Sequence, residues 1–190
     1  MNSYFEKELK EIKASIHSLN EVVFEHWVEE GVQTINTGHK IIVSGLGKNV
    51  PICEKFVGSM VSVGMDAAFL HTNSAVHGDM VIILTKSGET SESIYLARHL
   101  KKRRVNIWLL TFEAESTLTR EISNCVILKL EDEGDMWNIM PNNSTTINLI
   151  ILQGLCMQIA KRRGIQIEEF RRNHPGGHIG EVLSNGSWHE

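Results

Sequence analysis

Two kinds of apolar periodicity run along this chain. Phe5, Leu9, Ile12, Ile16, Leu19 and Val23 recur at alternating spacings of four and three, which places them on one stripe of a helix. The spacing predicts a helical segment over about 1–36, packed on its own domain. So narrow a stripe also suits pairing with a helix of a partner subunit. From residue 40 the pattern changes to short, β-branched, apolar runs bounded by polar or glycine-containing stretches: Lys40-Ile41-Ile42-Val43-Ser44, Ala67-Ala68-Phe69-Leu70, Val81-Ile82-Ile83-Leu84, Val105-Asn106-Ile107-Trp108-Leu109-Leu110 and Val126-Ile127-Leu128-Lys129-Leu130. Each reads as a buried strand. Helical patterns over about 50–63, 90–103 and 116–122 separate most of them.

Alternating strands and helices predict an α/β fold, a five-stranded parallel sheet with helices on both faces. The crossover before Val81, a polar stretch over 71–79, is short for a helix and is the weak point of that topology. The last third is helical. Residues 144–163 carry Ile147, Leu149, Ile150, Ile151, Leu152, Leu155, Cys156 and Ile159 almost all round, as expected of a helix buried on most sides and shared with a subunit interface. Ser144 and Gly164 are its expected caps. A shorter helix over about 166–172 precedes His174-Pro175-Gly176-Gly177. The chain therefore divides into an N-terminal helical segment (about 1–36), a sheet core (about 40–130) and C-terminal helices (about 143–183) of one domain spanning 1–190.

Composition fits that picture. The 190 residues suit one domain, and 42% apolar with 22% charged residues is ordinary for a soluble globular protein. A net charge of -4 speaks against a nucleic-acid surface. Cys53, Cys125 and Cys156 are widely spaced, with no CxxC pair, so reduced thiols and a cytoplasmic location are expected. The charged N-terminus lacks a signal-peptide core, and no apolar stretch is long enough to span a membrane.

Candidate chemistry lies at the strand ends. Thr85-Lys86-Ser87-Gly88-Glu89-Thr90 joins the third strand to a helix start. Helix N-termini expose N–H groups that lack intrahelical partners and favour anions. The hydroxyls of Thr85, Ser87 and Thr90 add donors, and Gly88 permits close approach. A ligand there would lie beyond the carboxyl ends of the strands, where parallel sheets bind them. Ser44-Gly45-Leu46-Gly47-Lys48 follows the first strand without a dinucleotide or Walker pattern; Lys48 could meet a phosphate or sugar oxygen.

Taken with His77-Gly78-Asp79, Pro141-Asn142-Asn143-Ser144-Thr145-Thr146 and His174-Pro175-Gly176-Gly177, these segments resemble the sugar isomerase (SIS) domain family, and within it the arabinose 5-phosphate isomerases, over about 40–183. The resemblance implies a flavodoxin-like, doubly wound domain that interconverts arabinose 5-phosphate and ribulose 5-phosphate, feeding synthesis of the sugar acid Kdo for lipopolysaccharide or capsule. It implies catalytic positions at Lys48, His77, Glu92, Glu133 and His174. It implies phosphate contacts at Ser44, Thr85, Ser87, Gly88 and Thr90, with Ser144 and Thr145 close by. It also implies a homotetramer in which one subunit can complete its neighbour's site. Many members carry tandem CBS domains; this chain ends at Glu190 and is similar to SIS-only members. It departs from the family in having His71-Thr72-Asn73-Ser74-Ala75, without a carboxylate at Ser74, and in the short connection after Asp79.

Aldose–ketose isomerisation needs a C–H base, a group to relay the oxygen protons and stabilisation of an enediolate. Glu133 is the first choice for the base and Glu92 the alternative. His174 suits ring opening or proton shuttling, and His77 and Lys48 suit polarising the sugar oxygens. The route needs no cofactor, and no helical HxxxH spacing marks a metal site. The alternatives are a non-catalytic SIS module sensing a sugar phosphate or CMP-Kdo, an isomerase of another phosphosugar, and feedback binding of CMP-Kdo at the same pocket.

Overall fold

The computed structural model describes residues 3–70 and 74–184. The polar stretch at His71, Thr72 and Asn73 lies outside the described residues. The elements run α1 (Ser3–His17), α2 (Glu21–Asn36), β1 (Ile41–Gly45), α3 (Asn49–Ser62), β2 (Ala67–Phe69), β3 (Met80–Leu84), α4 (Ser91–Lys102), β4 (Asn106–Thr111), α5 (Thr117–Glu121), β5 (Asn124–Ile127), α6 (Asn143–Arg162), α7 (Ile167–Asn173) and α8 (Gly177–Ser184). All strands are parallel, in the order β2-β1-β3-β4-β5. That is the flavodoxin-like order, whose switch point lies between β1 and β3.

Strand side chains alternate between two apolar layers. Ile41 and Val43, Met80, Ile82 and Leu84, and Trp108 and Leu110 face the layer built with α2, α3 and α6. Ile42, Val81 and Ile83, and Ile107 and Leu109 face Ala97, Leu100 and Leu118 of α4 and α5. With both faces covered, the central strands read as continuous apolar runs rather than alternating ones. In the first layer Trp27 stacks on Trp108 at a centroid distance of 5.3 Å, an arrangement that adds roughly 0.5–1.5 kcal/mol beyond area burial. Glu30 Oε2 accepts from Trp108 Nε1 at 2.6 Å and Asn106 Nδ2 at 2.9 Å, so the buried indole keeps a partner.

The N-terminal segment is two helices rather than one. Asn20 caps α2, its Oδ1 accepting from Val22 N at 3.0 Å and Val23 N at 3.2 Å, and this local bond ends the first helix. The expected stripe divides there. Ile12, Leu19 and Val23 pack on the core, whereas Phe5 and Leu9 are 56% and 60% exposed and α1 buries Glu8 and Ser15 instead.

The crossover from β2 to β3 contains no helix among its described residues. Asp79, fully buried, accepts from Lys40 N at 3.2 Å and Val76 N at 2.9 Å. It thus pins the turn into β3 against the start of β1. The C-terminal region holds three helices, the third following the His-Pro-Gly-Gly turn. α6 packs against α1, α2 and α3, and Gly164 sits just past its end at φ +64°.

Cys53 and Cys156 are buried on α3 and α6, and none of the three thiols is in a disulfide. Burial pushes Cys53 up to about 12 and Cys156 to about 11, so both stay protonated at neutral pH. A maleimide should therefore label these two only on unfolding. Rapid labelling of the native protein, read by mass spectrometry, would show that the α3–α6 seam is open.

Candidate active site

The sheet's carboxyl edge carries the loop between β3 and α4. Its backbone is tied to the neighbouring strand. Thr85 N donates to Leu110 O at 3.1 Å, and Lys86 O accepts from Phe112 N at 3.2 Å and Thr111 Oγ1 at 3.0 Å. Thr85 Oγ1 accepts from Gly88 N at 3.2 Å and Ser87 Oγ from Glu89 N at 3.2 Å, so these hydroxyls order the loop. Gly88 has φ +66°, and a Cβ there would overlap Ser116; both facts require glycine. Glu89 accepts from Thr117 N at 2.6 Å and Thr117 Oγ1 at 2.8 Å, anchoring the loop to α5. Those bonds, the backbone one first, hold its carboxyl below the usual range. Thr90 occupies the N-cap of α4 in an extended conformation, but its side chain makes no capping bond. The first turn of α4 is thus uncapped by its own residue and suited to an anion.

Beside the loop, Ser44, Leu46, Leu70, Ser91, Glu92, Tyr95 and Leu96 line a cavity of about 560 Å³, within the range of small-ligand sites. Glu92 is exposed to it. Its own backbone N–H and then the Ser91 hydroxyl keep its carboxyl below the ordinary range, so it is ionised at neutral pH. Lys48, exposed, stands at the start of α3 on the same edge.

Glu133 is fully buried. Its Oε2 accepts from Asn142 N at 3.2 Å and Ser144 N at 2.9 Å, capping α6, and its Oε1 lies 2.8 Å from Lys86 Nζ in an ion pair. The expected cap, Ser144, is instead inside the helix, and the capping oxygen comes from a residue well before it. Thr145 Oγ1 donates to Pro141 O and Asn142 O, each at 3.0 Å. Glu133 and the α6 N-terminus therefore approach the 85–90 loop through Lys86, a residue the motif reading passed over. The signal available for it was a lone lysine among hydroxyls at a strand end.

Within one protomer the histidines lie apart from the other candidate residues. His77 is exposed in the turn held by Asp79, just before β3 begins, at the sheet's amino edge. His174 follows α7, whose Asn173 Nδ2 donates to Val61 O and Ser62 O at 3.3 Å, at the end of α3 remote from the loop. Its Nδ1 donates to Phe170 O at 2.9 Å, and its ring stacks on Phe170 at 4.1 Å. The physical reason is topological: β3 and α3 each run the full depth of the sheet, from one edge to the other. Among the described residues no group of three or more His, Cys, Asp or Glu side chains gathers to hold a metal ion, and no helix is long and apolar enough to cross a membrane.

Comparison with known proteins shows the family and the fold. The SIS domain family matches residues 34–153. Arabinose 5-phosphate isomerase KdsD of Salmonella typhi is 30% identical over 186 residues, 93% of this chain and 57% of its own length. KdsD of Escherichia coli K12 is 32% identical over 152 residues, 76% of this chain and 46% of its own. The chain thus spans about half the length of these curated relatives. Among solved structures, a Bacteroides fragilis protein described as a phosphosugar isomerase involved in capsule formation superposes with a TM-score of 0.82 at 25% identity, over 92% of this chain and 97% of its own. An Escherichia coli CFT073 protein, solved in complex with a sugar phosphate, has a TM-score of 0.81 at 22% identity and shares the fold over 92% of this chain and 100% of its own. A parallel 2-1-3-4-5 sheet with helices on both faces defines the class, a doubly wound α/β domain. Within that class, the chain belongs to the SIS domain family.

Gly88→Ala should destabilise the protein by about 1–3 kcal/mol in urea unfolding, since the left-handed backbone and the overlap with Ser116 both oppose a side chain. The depressed Glu89 carboxyl makes its tie to Thr117 fully present at neutral pH and lost as pH falls through its folded value. Glu89→Gln should therefore flatten the acid side of the stability–pH profile, and an unchanged acid limb would show the tie to be idle.

Proposed function

We propose that this chain is a sugar-phosphate isomerase acting on arabinose 5-phosphate and ribulose 5-phosphate. The observation that carries the reading is the juxtaposition of an uncapped α4 N-terminus with an ionised carboxylate, Glu92, on a cavity of small-ligand size. The KdsD relatives and the phosphosugar isomerase similarity support it. The phosphate would sit on the loop of Thr85, Ser87, Gly88 and Thr90, with Ser44 beside it and Lys86 adding charge.

With the phosphate anchored, the sugar's C1–C2 end extends into the cavity. Glu92 then takes the proton from C2 of the aldose, or C1 of the ketose, and returns it to the neighbouring carbon. Lys48 stabilises the enediolate oxygen that forms between the two steps. Glu133 takes a different part from the C–H base expected of it: buried, hydrogen-bonded to α6 through Oε2 and ion-paired with Lys86 through Oε1, it holds Lys86 and α6. His77 and His174 enter a site only from a neighbouring subunit of a homotetramer, where His174 would relay protons between the oxygens. Ser144 and Thr145 frame the loop from α6. On this reading the enzyme is cytoplasmic, uses no cofactor or metal, touches no nucleic acid or membrane, serves Kdo formation for lipopolysaccharide or capsule, and accepts CMP-Kdo as a feedback ligand.

The test is an isomerase assay of the purified protein against a panel of pentose and hexose phosphates. Turnover should be greatest with arabinose 5-phosphate. Glu92→Gln should lower kcat by roughly 10²–10⁴-fold with little change in KM. Binding of sugar phosphates without turnover of any of them would replace this reading with a sensor module. Preference for another sugar would keep the chemistry and move the substrate.

A further inference from the structure

We propose that Glu8 of α1 is a positioning residue for the phosphate loop, acting through Glu133 and Lys86; the inference rests on the phosphate-binding reading above. α1 is oriented against its apolar stripe. Phe5 and Leu9 point outward, while Glu8 is only 8% exposed. A carboxylate is buried in this way only when partners compensate its lost hydration, and here the neighbours are the first residue of α6 and the loop that leads into it. Asn143 Nδ2 donates to Glu8 Oε2 at 2.6 Å and to Asp132 O at 2.9 Å. Gly134, at φ +82°, lies directly against the Glu8 carboxylate, where any side chain would overlap it.

Two further α1 side chains grip the same loop. Lys7 Nζ is 2.5 Å from Asp132 Oδ2, and Glu11 Oε1 accepts from Glu131 N at 2.7 Å and Asp132 N at 3.4 Å. Residues 7, 8 and 11 share one side of a helix, so α1 holds the backbone on both sides of Glu133. What Glu133 then does depends on where that backbone is. One oxygen must reach the first N–H groups of α6 and the other Lys86. A shift of the segment breaks one or both of these bonds and frees Lys86 from its place beside Ser87 and Thr85.

The experiment is calorimetric titration of the full chain with inorganic phosphate, comparing the unmodified protein, Glu8→Met, Lys86→Met and the double variant. Each single change should weaken phosphate binding by about threefold to tenfold, and the double variant should be no weaker than Lys86→Met by more than about twofold, because coupled residues are non-additive. Glu8→Gln, which keeps an acceptor for Asn143, should stay within about twofold of the unmodified protein. Should Glu8→Met fail to fold, Glu8→Asp, which withdraws the carboxylate by one methylene, carries the same expectation. Unchanged affinity in folded Glu8→Met or Glu8→Asp, or losses that multiply in the double variant, would overturn the positioning role while leaving the phosphate loop standing. Absence of phosphate binding by the unmodified protein would overturn both.

Discussion

A buried carboxylate joins the parts of this protein that matter most to its proposed chemistry. Glu133 has no access to water, and an ionised group in that setting is tolerated only when its oxygens are matched. One is matched by the positive end of α6, the other by the ammonium of Lys86. The long α6 helix, which packs on α1, α2 and α3, is thereby fixed in register with the loop after β3. Removing the carboxylate would leave a helix start and a lysine each without a counter-charge. Changing its position would move the loop relative to the helical layer.

The sheet divides the candidate site residues by edge. Ser44, Lys48, the 85–90 loop, Glu92 and the start of α6 gather where the strands end, while His77 and His174 lie where they begin. No rotamer change carries a side chain across the depth of a parallel sheet. A site that uses both sets is necessarily built by more than one copy of the chain, and a site built by one copy uses only the first set.

Strands and helices of the central domain were legible because burial on both faces leaves so clear a trace. Runs such as Met80–Leu84 can be little else than interior strands. Boundaries were less legible: Leu128 and Leu130 look like strand residues because they pack on the core, yet β5 ends at Ile127. Apolar character reports burial, and burial outlasts the hydrogen-bonded ladder. The stripe through Phe5 and Leu9 misled for the converse reason, since periodicity reports that a face is apolar and cannot say what covers it. The turn from β3 into α4 was legible from local features, three hydroxyls and a glycine at a strand end. Lys86, Glu133 and Glu8 act through partners far away in the chain, and such pairings leave no spacing to read. Within His77-Gly78-Asp79 the structure gives Asp79 its part, securing the entry to β3.

The outward turn of Phe5 and Leu9 has a thermodynamic counterpart. These side chains share a short helix with Lys7, Glu8 and Glu11, so a surface that settles over them also restrains the carboxylates behind them. On the proposed reading, with a second copy over that apolar face and phosphate in the loop, the two bindings are linked equilibria, each favouring the other by the same factor, and ligand affinity is then a function of protein concentration.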